Sequence, residues 1–319
     1  MKILILTLSL LLSVYRSTFA YSQPGHQAIA KAAFKMLQGT STAAKLKNIL
    51  GSEQETYAAV WLDNVRENTL TTVAEKAEAM EFNQNFPQNS EWHFTNFIVG
   101  STTYSFHSTF SKTDDVVHAL ENAISVLEGA SSTMTQREAL RTVIHLVGDI
   151  HQPLHCITGY YDLSDMAHPK LLTSVSDPAN IPEDRGGNQL YYTKTEELHA
   201  LWDLGLPNMV SPNVDQLAVI IAGNGISSEQ ATPGDYHRWA ESWASDSMKQ
   251  ANAAYQGISF NNAEYVPNPR KPGKMQLKIY IALPNGTVGY KNSQKNRTQM
   301  QLHLAAVHLA QLLANIKYQ

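Results

Sequence analysis

One stretch, H-L-V-G-D-I-H-Q-P-L-H from His145 to His155, constrains the fold of this chain more than any other. His145 and Asp149 stand four positions apart, so on a helix they lie on one face, a turn from each other. Pro153 cannot continue that helix and biases the preceding residue away from it, so the chain turns there. The turn can bring His155 back towards the same pocket. Nitrogen and carboxylate ligands at this spacing are typical of a divalent metal site.

A second pair at the same spacing, His199 and Asp203 in E-L-H-A-L-W-D, repeats this arrangement. A single histidine in an amphipathic helix is more often a surface residue or a hydrogen-bonded core residue than a ligand. With 12 histidines in the chain, some pairs at this spacing also arise by chance. The residues around Asp149 are nearly all apolar, however, and a buried carboxylate needs a cationic partner. Two such pairs and a histidine after the helix break predict more than one metal ion.

The size and composition of the chain indicate a globular protein with a sizeable core. It has 319 residues, 43% of them hydrophobic and 16% charged, and a formal net charge of −4. No linker or internal repeat divides it, so we predict one mostly α-helical domain. No long basic run is present, which disfavours tight duplex binding through many phosphate contacts. A nucleic-acid substrate remains compatible with this charge if metal ions provide positive charge locally.

Apolar residues at helical spacing predict most of the secondary structure. The predicted helices span 27–37, 41–50, 114–128, 135–151, 214–222, 235–254 and 294–316. Thr113 or Asp114 is the expected cap of the third of these. Residues 91–98 alternate enough to be extended, and 277–290 predict a small β-hairpin that turns at Asn285-Gly286. The polar stretch from Cys156 to Asn188 predicts a long loop with a functional or mobile role.

The first 20 residues have the features of a secretory signal peptide. Lys2 follows the initiator, residues 3–12 are almost wholly apolar, and T-F-A ends in the small residue that a signal peptidase accepts. The apolar run is well short of the ~20 residues that span a bilayer, which disfavours an uncleaved anchor. We therefore expect cleavage after Ala20, a mature domain at 21–319 and a secreted or periplasmic protein that is not an integral membrane protein. Cys156 is the only cysteine, so intramolecular disulfides are impossible.

Cleavage after Ala20 would make Tyr21 the N-terminal residue, five positions before His26 in Y-S-Q-P-G-H. A free α-amine can deprotonate near neutral pH and bind a metal. Further along, D-R-G-G-N at 184–188 permits a tight turn just before His199. Asp184, Arg185 and Asn188 either hold the metal ligands in place or belong to an ordinary polar turn.

Two more segments combine polar and aromatic residues. Asp63 and Arg66 in W-L-D-N-V-R stand three apart on one helical face, which is equally consistent with a surface ion pair and with a functional carboxylate and arginine. His93 stands among aromatic residues in E-W-H-F.

Taken in chain order, these segments resemble the S1/P1 nuclease family of secreted, zinc-dependent single-strand nucleases and 3′-nucleotidases. The matching segments are Y-S-Q-P-G-H, W-L-D-N-V-R, W-H-F, H-L-V-G-D-I-H-Q-P-L-H, D-R-G-G-N and H-A-L-W-D. The resemblance covers nearly the whole chain after residue 20. It implies a mainly α, single-domain fold of the phospholipase C/P1 nuclease type, with a small β-hairpin and long loops.

The resemblance implies three zinc ions. The first would be held by Asp63, His93, His145 and Asp149, the second by the Tyr21 amine and carbonyl, His26 and Asp149, and the third by His155, His199 and Asp203. His151 falls between ligands and is not one of them in the family pattern. All these donors are nitrogen or oxygen, which is consistent with catalytic rather than structural zinc.

The resemblance also implies substrate roles. Asp63 would orient the attacking water, Arg66 would stabilise the phosphate oxygens, Phe94 would stack on a base, and Asn96 would contact the base edge. The expected substrates are single-stranded DNA and RNA, cleaved to 5′-phosphorylated products, and 3′-nucleotides; no stable protein partner is implied. The chain departs from the family pattern in three ways: Tyr21 replaces the usual tryptophan, the cystines are absent, and Asn96 replaces a frequent aspartate.

Two other functions compete with this one. Zinc phospholipases C share the three-zinc arrangement, so the metal site alone does not fix the substrate, and the loop at 156–188 is compatible with a phospholipid headgroup. A non-catalytic extracellular zinc-binding or nucleic-acid-binding protein is the other alternative. The presence of both Asp63 and Arg66 argues against a non-catalytic role.

Overall fold

The computed structural model describes residues 21–223, 225, 230–268 and 271–319; the predicted signal peptide, residues 1–20, lies outside the described residues. The helices are α1 Gln23–Leu37, α2 Ser41–Leu50, α3 Glu55–Glu67, α4 Val73–Asn85, α5 Val116–Leu127, α6 Gln136–Ile150, α7 Leu198–Ala200, α8 Leu206–Val210, α9 Val214–Ala222, α10 Trp239–Tyr255 and α11 Gly286–Asn315. The strands are β1 Phe97–Ile98, β2 Ile157–Thr158, β3 Tyr161–Asp162, β4 Lys170–Leu171, β5 Leu190–Tyr191, β6 Ser259–Pro267 and β7 Met275–Ala282. The predicted mainly α fold is confirmed.

Helix α6 lies at the centre of the fold. Thr135 and Glu138 form a capping box at its start, in which each side chain bonds the other's backbone N–H. Every residue of α6 from Glu138 to Ile150 is buried. It packs against α1, α3, α5, α10 and α11, so its polar side chains are held inside the protein. Pro153 opens a 3-10 turn, Pro153–His155, as the helix break predicted.

The other long helices surround α6 and close the core. Helix α1 packs against α3, α9 and α11 as well as α6, and the C-terminal half of α11 contributes a stripe of buried alanine and leucine residues. Large rings such as Trp61, Trp202 and Trp243 are fully buried. Among the described residues, no helix is both long enough and apolar enough to cross a membrane.

The strands form small sheets at the edges of the helical core. β1 pairs with β2 in parallel, which joins the segment after His93 to the segment after His155. β3 and β4 form a short antiparallel pair within the predicted loop at 156–188. The largest sheet has the order β5-β7-β6, with an irregularity between Phe260 and Asn262.

The predicted hairpin at 277–290 is wrong. β7 pairs with β6 upstream of it, and Asn285 is instead the cap of α11. Asn285 adopts a left-handed conformation, with φ of 58°. An Asn-Gly pair supplies such conformations equally well to a hairpin turn and to a helix start, so the local pattern does not decide between them.

Several other boundaries differ from the prediction: α1 begins at Gln23 and not at 27, α10 at Trp239 and not at 235, and α11 at Gly286 and not at 294. The cap of α5 is Asp115, not Thr113 or Asp114, because its carboxylate accepts from the backbone N–H groups of Val117 and His118. Of the predicted extended segment 91–98, only Phe97–Ile98 is a strand, and Glu91 ends a 3-10 turn.

Candidate metal centre

The predicted ligands come together from six segments of the chain. His26 lies on α1, Asp63 on α3, and both His145 and Asp149 on α6. His93 precedes β1, and His155 ends the 3-10 turn after α6. His199 lies on α7, and Asp203 lies on the π-helical turn Leu201–Gly205 that continues it. All eight side chains are buried.

Asp149 stands at the middle of this cluster. Its Oδ2 lies 2.9 Å from Nδ1 of His93 and 3.1 Å from Nε2 of His145. Its Oδ1 lies 3.2 Å from Nε2 of His26. The rings of His26 and His145 stack with centroids 4.1 Å apart. One carboxylate therefore faces three imidazoles, two of them at Oδ2 and one at Oδ1.

Asp63 extends the cluster on the other side of His145. Its Oδ1 lies 3.7 Å from Nε2 of His145 and 3.8 Å from Nδ1 of His93. Arg66 Nη2 lies 2.8 Å from the same oxygen. The result is two overlapping groups that could each hold a metal ion and that share His145: one of His26, His145 and Asp149, the other of Asp63, His93 and His145.

The third group that could hold a metal ion consists of His155, His199 and Asp203. Nε2 of His199 lies 3.2 Å from Oδ2 of Asp203, and Nε2 of His155 lies 3.9 Å from Oδ1 of Asp203. Gln152 donates to that Oδ1 at 2.7 Å. His155 also lies 3.9 Å from Asp149 at its Nδ1, so the third group adjoins the first two.

Backbone carbonyls orient three of the imidazoles. Nδ1 of His145 donates to the carbonyl of Ala59, at 2.7 Å, because a carbonyl can only accept. In the same way His155 donates to the carbonyl of His93 and His199 to that of Gly186, both at 2.6 Å. Each ring thus presents Nε2 to the site. This is the arrangement that fixes the tautomer of metal-ligating histidines.

The pKa values of the cluster reflect burial opposed by charge. Burial and Arg66 lower the pKa of His93 to about 4, and burial and His155 lower that of His199 to about 3. Burial also disfavours charged His145, but Asp149 and Asp63 outweigh it and raise that pKa to about 9. Burial opposes ionised Asp149, yet His145 and the hydrogen bonds from His145, His26 and His93 hold its pKa well below the usual range.

These residues fit divalent metal ions on chemical grounds. Nε2 of His199 has no proton of its own, since Nδ1 carries it, so two acceptors face each other across 3.2 Å at Asp203. A positive charge has to lie between them, either a proton or a metal ion. Asp63 Oδ2 and His155 Nε2 are also buried and receive no hydrogen bond from the described part of the chain. Nitrogen and oxygen donors without thiolate suit zinc and similar divalent ions.

Tyr21 begins the described chain and packs beside this centre. Its side chain is fully buried, and its hydroxyl donates to the carbonyl of His151 at 3.1 Å. The next residue, Ser22, donates its backbone N–H to the carbonyl of Asp203 at 2.8 Å. The phenol therefore anchors this end of the chain between α6 and the segment that carries the third group.

A small cleft is lined by the segment that follows His93. Phe94 and Asn96 line it from the segment that follows His93, and Phe110, Lys112 and Asp114 line it from the loop before α5. Phe94 and Asn96 are both half-buried. An aromatic ring and an amide thus stand one and three positions after the ligand His93.

The family comparison agrees with this geometry. The model of the S1/P1 nuclease family matches residues 21–317, which is nearly all of the described chain. The chain belongs to the S1/P1 nuclease family. Nuclease S1 of Aspergillus oryzae (strain ATCC 42149 / RIB 40) is 23% identical over 238 residues, which cover 73% of this chain and 70% of that protein. Family membership assigns the chain to the nucleases, a class of hydrolase that acts on nucleic acids.

Other residues that the sequence pointed to are not part of the cluster of His and Asp ligands. His151 donates to the carbonyl of Val147 and pairs with His308, so it faces away from the ligands. In the D-R-G-G-N turn, Asp184 is buried and braces the turn by accepting from Gly187 N–H at 2.9 Å. Arg185 is exposed and Asn188 bonds only within the turn, so neither holds a ligand.

Sequence reasoning missed three contributors to the site. A Cβ at position 148 would lie 2.6 Å from Nδ1 of His26. Because Gly148 has no side chain, α1 can approach α6 this closely. Gln152 orients Asp203, and the carbonyl of Gly186 orients His199. A glycine inside an otherwise strong helix pattern is the one signal among these that a sequence displays.

Proposed function

We propose that this chain is a zinc-dependent phosphodiesterase. It hydrolyses single-stranded DNA and RNA to 5′-phosphorylated products and also removes phosphate from 3′-nucleotides. The observation that carries the proposal is the set of three adjoining buried His/Asp groups in a chain of the S1/P1 nuclease family.

Three zinc ions would occupy these groups. Asp63, His93, His145 and Asp149 would hold the first; the Tyr21 amine and carbonyl, His26 and Asp149 the second; and His155, His199 and Asp203 the third. When bound, zinc acidifies water and offsets the negative charge of the phosphodiester. The chain's own role is to aim imidazoles at the metal positions: the carbonyls of Ala59, His93 and Gly186 accept from Nδ1 of His145, His155 and His199, so that Nε2 of each ring faces the site.

Asp63 and Arg66 would act on the reacting groups. The Asp63 carboxylate is buried and can accept a hydrogen bond from the water that attacks phosphorus. Arg66 holds this carboxylate at 2.8 Å and has a further N–H group for a phosphate oxygen, whose charge grows in the transition state. Attack on phosphorus expels the 3′ oxygen, which takes up a proton, and leaves the phosphate on the 5′ side.

The cleft would select the substrate. A base stacked on Phe94 gains about 1–3 kcal/mol regardless of its identity. Stacking requires an unpaired base, which gives a physical reason for preferring single strands. Asn96 offers both donors and an acceptor to the base edge. The charge of the chain, −4 overall, does not favour duplex binding.

The decisive experiment assays the purified mature protein, loaded with zinc, against single-stranded DNA, RNA and 3′-AMP, with and without a chelator. We expect release of 5′-phosphorylated nucleotides and of phosphate, abolished by the chelator and restored by zinc. Elemental analysis should give three zinc ions per chain. No release from any substrate would reject the proposal. Faster hydrolysis of phosphatidylcholine than of nucleic acid would favour the phospholipase alternative, and full zinc occupancy without turnover the non-catalytic one.

The N-terminus provides a second test. A signal peptide at residues 1–20 and export to the periplasm or medium would free the Tyr21 amine. One extra residue before Tyr21 should then remove about one zinc ion and most of the activity, because an amide nitrogen does not replace an amine ligand. Conversion of Tyr21 to Phe, with the native start, serves as the control and should keep the zinc. Equal zinc content and rate in the extended protein would show that the amine is not a ligand.

A further inference from the structure

A turn at residues 185–187 lies between the two histidine-bearing segments of the third group. On one side Gly186 packs against the backbone next to the ligand His155, where a Cβ at position 186 would lie 2.2 Å from the carbonyl oxygen of Leu154. On the other side the carbonyl of Gly186 accepts from Nδ1 of the ligand His199 at 2.6 Å. The conformation of this turn therefore affects how the imidazoles of His155 and His199 lie relative to each other.

The turn has an unusual backbone conformation. Arg185, Gly186 and Gly187 follow one another with φ of 56°, 62° and 85°. The left-handed region is disfavoured for a residue with a Cβ, such as Arg185, and it is normally adopted by single residues rather than by runs. Three such residues in succession need specific contacts to hold them in place.

The carboxylate of Asp184 provides several of these contacts. It is fully buried. Its Oδ1 accepts from the backbone N–H of Gly187 at 2.9 Å and from that of Gly159 at 3.1 Å. Its Oδ2 accepts from the hydroxyl of Tyr161 at 2.7 Å, and the hydroxyl of Tyr255 lies 3.0 Å from both oxygens. The start of the turn is thus fixed to three other parts of the chain.

Thr158 connects the same carboxylate to the middle of the turn. Its hydroxyl donates to Oδ1 of Asp184 at 3.1 Å and accepts from the backbone N–H of Gly186 at 3.2 Å. Thr158 is fully buried and stands three positions after His155. Gly186 is therefore held at its N–H by Thr158, while its carbonyl holds the ring of His199.

We propose that Asp184 and Thr158 are positioning residues for the third group. Through the turn they fix the relative placement of His155 and His199, and so they determine the affinity for the cation of that group without changing the affinity for the other two. The inference rests on the proposed function, because it concerns one of the metal ions proposed there. Neither residue belongs to any of the three groups of ligands that the described residues form.

The variant Thr158→Val removes the link and keeps the carboxylate. Valine has nearly the shape of threonine but lacks the hydroxyl, so the buried N–H of Gly186 loses its acceptor. We expect the zinc affinity of one site to fall roughly 10–100-fold, as for other changes to the groups that orient metal-bound histidines. Elemental analysis at the chelator concentration that the unchanged protein just tolerates with three zinc ions should then give two.

Two further threonine variants are the controls. Thr158→Ser keeps the hydroxyl and should retain the third ion. Thr298→Val, on α11, removes the hydroxyl of another fully buried threonine, one that has no hydrogen-bond partner within the described part of the chain. It should leave all three zinc affinities unchanged.

Gly186→Ala tests the turn from the other side. Its Cβ would meet the Leu154 carbonyl and displace the turn, so the same ion should be lost. Gly39→Ala is the matched control, because Gly39 also has a positive φ, of 83°, and a Cβ there meets nothing within 4 Å. It should keep three zinc ions.

A double variant identifies which ion is lost. His199→Ala removes a ligand of the third group and should itself leave two zinc ions. Adding Thr158→Val to it should cause no further loss, because both changes act on the same ion. A merely structural role for Thr158 would instead weaken the two remaining sites. Asp184→Ala removes every contact of the carboxylate and should also lose the third ion; if it does not fold, the Thr158 variants decide.

The possible failures are distinguishable. If Thr158→Val keeps three zinc ions at the same chelator concentration, or if all three affinities fall together, the inference is overturned and the proposed function stands. If the unchanged protein binds three zinc ions but hydrolyses none of the substrates, the proposed function fails and the zinc titrations still decide the inference. If the unchanged protein binds no zinc, both are rejected.

Discussion

Helix α6 carries two buried polar clusters that solve the same electrostatic problem in different ways. Towards its start, Arg141 is buried, with 3% of its surface exposed. One turn later, His145 and then Asp149 are fully buried. Both clusters place charge in the core, where an unpaired charge is very unfavourable. They differ in where the compensating charge comes from.

The Arg141 cluster is neutralised by the protein itself. Its Nε donates to Glu53 at 2.9 Å, its Nη1 to Glu78 at 2.8 Å, and its Nη2 forms a second bond to Glu53. The guanidinium carbon also lies 4.6 Å from the centre of the Trp61 ring, within the range of a cation–π interaction. The two carboxylates thus accept the guanidinium N–H groups and neutralise the charge of Arg141 within the protein.

The His/Asp cluster has the opposite character, because acceptors outnumber donors. Asp63, Asp149 and Asp203 face imidazoles whose protons, in three cases, are already committed to backbone carbonyls. A cluster that satisfies itself stabilises the fold, whereas a cluster with converging lone pairs needs a positive charge, which a proton or a metal ion can provide. The first end of α6 thus suits a structural role, and the second end suits the proposed metal binding.

The largest effect should come from Asp149→Asn. An amide is a much weaker metal ligand than a carboxylate, so at least two of the three proposed zinc ions should be lost together, and activity should fall by on the order of 10³-fold or more. Elemental analysis and the single-strand nuclease assay measure both. Asp246→Asn, on an exposed ion pair with Lys249, is the control and should change neither. Full zinc content in Asp149→Asn would show that the second end of α6 does not hold metal through Asp149.

Arg141→Ala should instead reduce stability. It removes the guanidinium that bonds the partly buried Glu53 and Glu78, of which Glu78 keeps only Arg137 among the described residues. We expect a loss of about 3 kcal/mol in the free energy of unfolding. Zinc content and kcat should stay unchanged. The control is Arg137→Ala, one turn earlier on α6, which contacts Glu78 from an exposed position and should cost less than about 1 kcal/mol. If urea unfolding gives equal losses of unfolding free energy for the two variants, the ion pairs of Arg141 contribute no more than those of an exposed arginine.

Gly148→Ala tests whether the proposed metal site needs the close approach of His26 to α6. Alanine favours a helix by about 1 kcal/mol over glycine, so at a permissive position the change stabilises. Here the new Cβ would lie 2.6 Å from Nδ1 of His26 and displace that ring. We expect a 10–100-fold weaker zinc affinity, as for other changes that misorient ligands. Competition with a chelator measures it, and unchanged affinity would mean that His26 has room to move.

The smallest effect concerns a third polar pair, at the C-terminal end of α6. His308 pairs with His151 and stacks on Trp243, and burial lowers the pKa of His308 to about 4. The unfolded chain binds this proton near pH 6.5, so the stability from the neutral ring is complete above pH 6.5. It is lost as pH falls from 6.5 to 4.

This pH dependence predicts the behaviour of His308→Gln. The variant does not titrate at position 308, so its midpoint temperature should fall less steeply than that of the unchanged protein between pH 6.5 and 4.5. The corresponding difference in the free energy of unfolding lost over this range is at most about 2 kcal/mol. Asp246 on α10 and His303 on α11 also act on this pKa and remain in the variant. Thermal unfolding as a function of pH measures the slope. Parallel curves for the two proteins would show that His308 does not sense acid.

Much of the site was predictable because ligand pairs on one helix have a fixed spacing. His145 with Asp149 and His199 with Asp203 lie one turn apart as expected, although the second pair lies on a short helix that continues as a π turn. The cap of α5 was predictable to within two residues. Asp115 and Asp114 are adjacent and chemically alike, and Asp115 is the one whose carboxylate accepts from the N–H groups of Val117 and His118.

The chain alone therefore determined which residues carry lone pairs and which helices carry them, because helical periodicity and residue chemistry are local. Only the tertiary structure decided what those groups face. The pairing of β7 with β6, the approach of His26 to Gly148, and the link from Asp115 to Thr95 all join residues distant in sequence. Such contacts depend on how whole helices and strands pack, which no local pattern encodes.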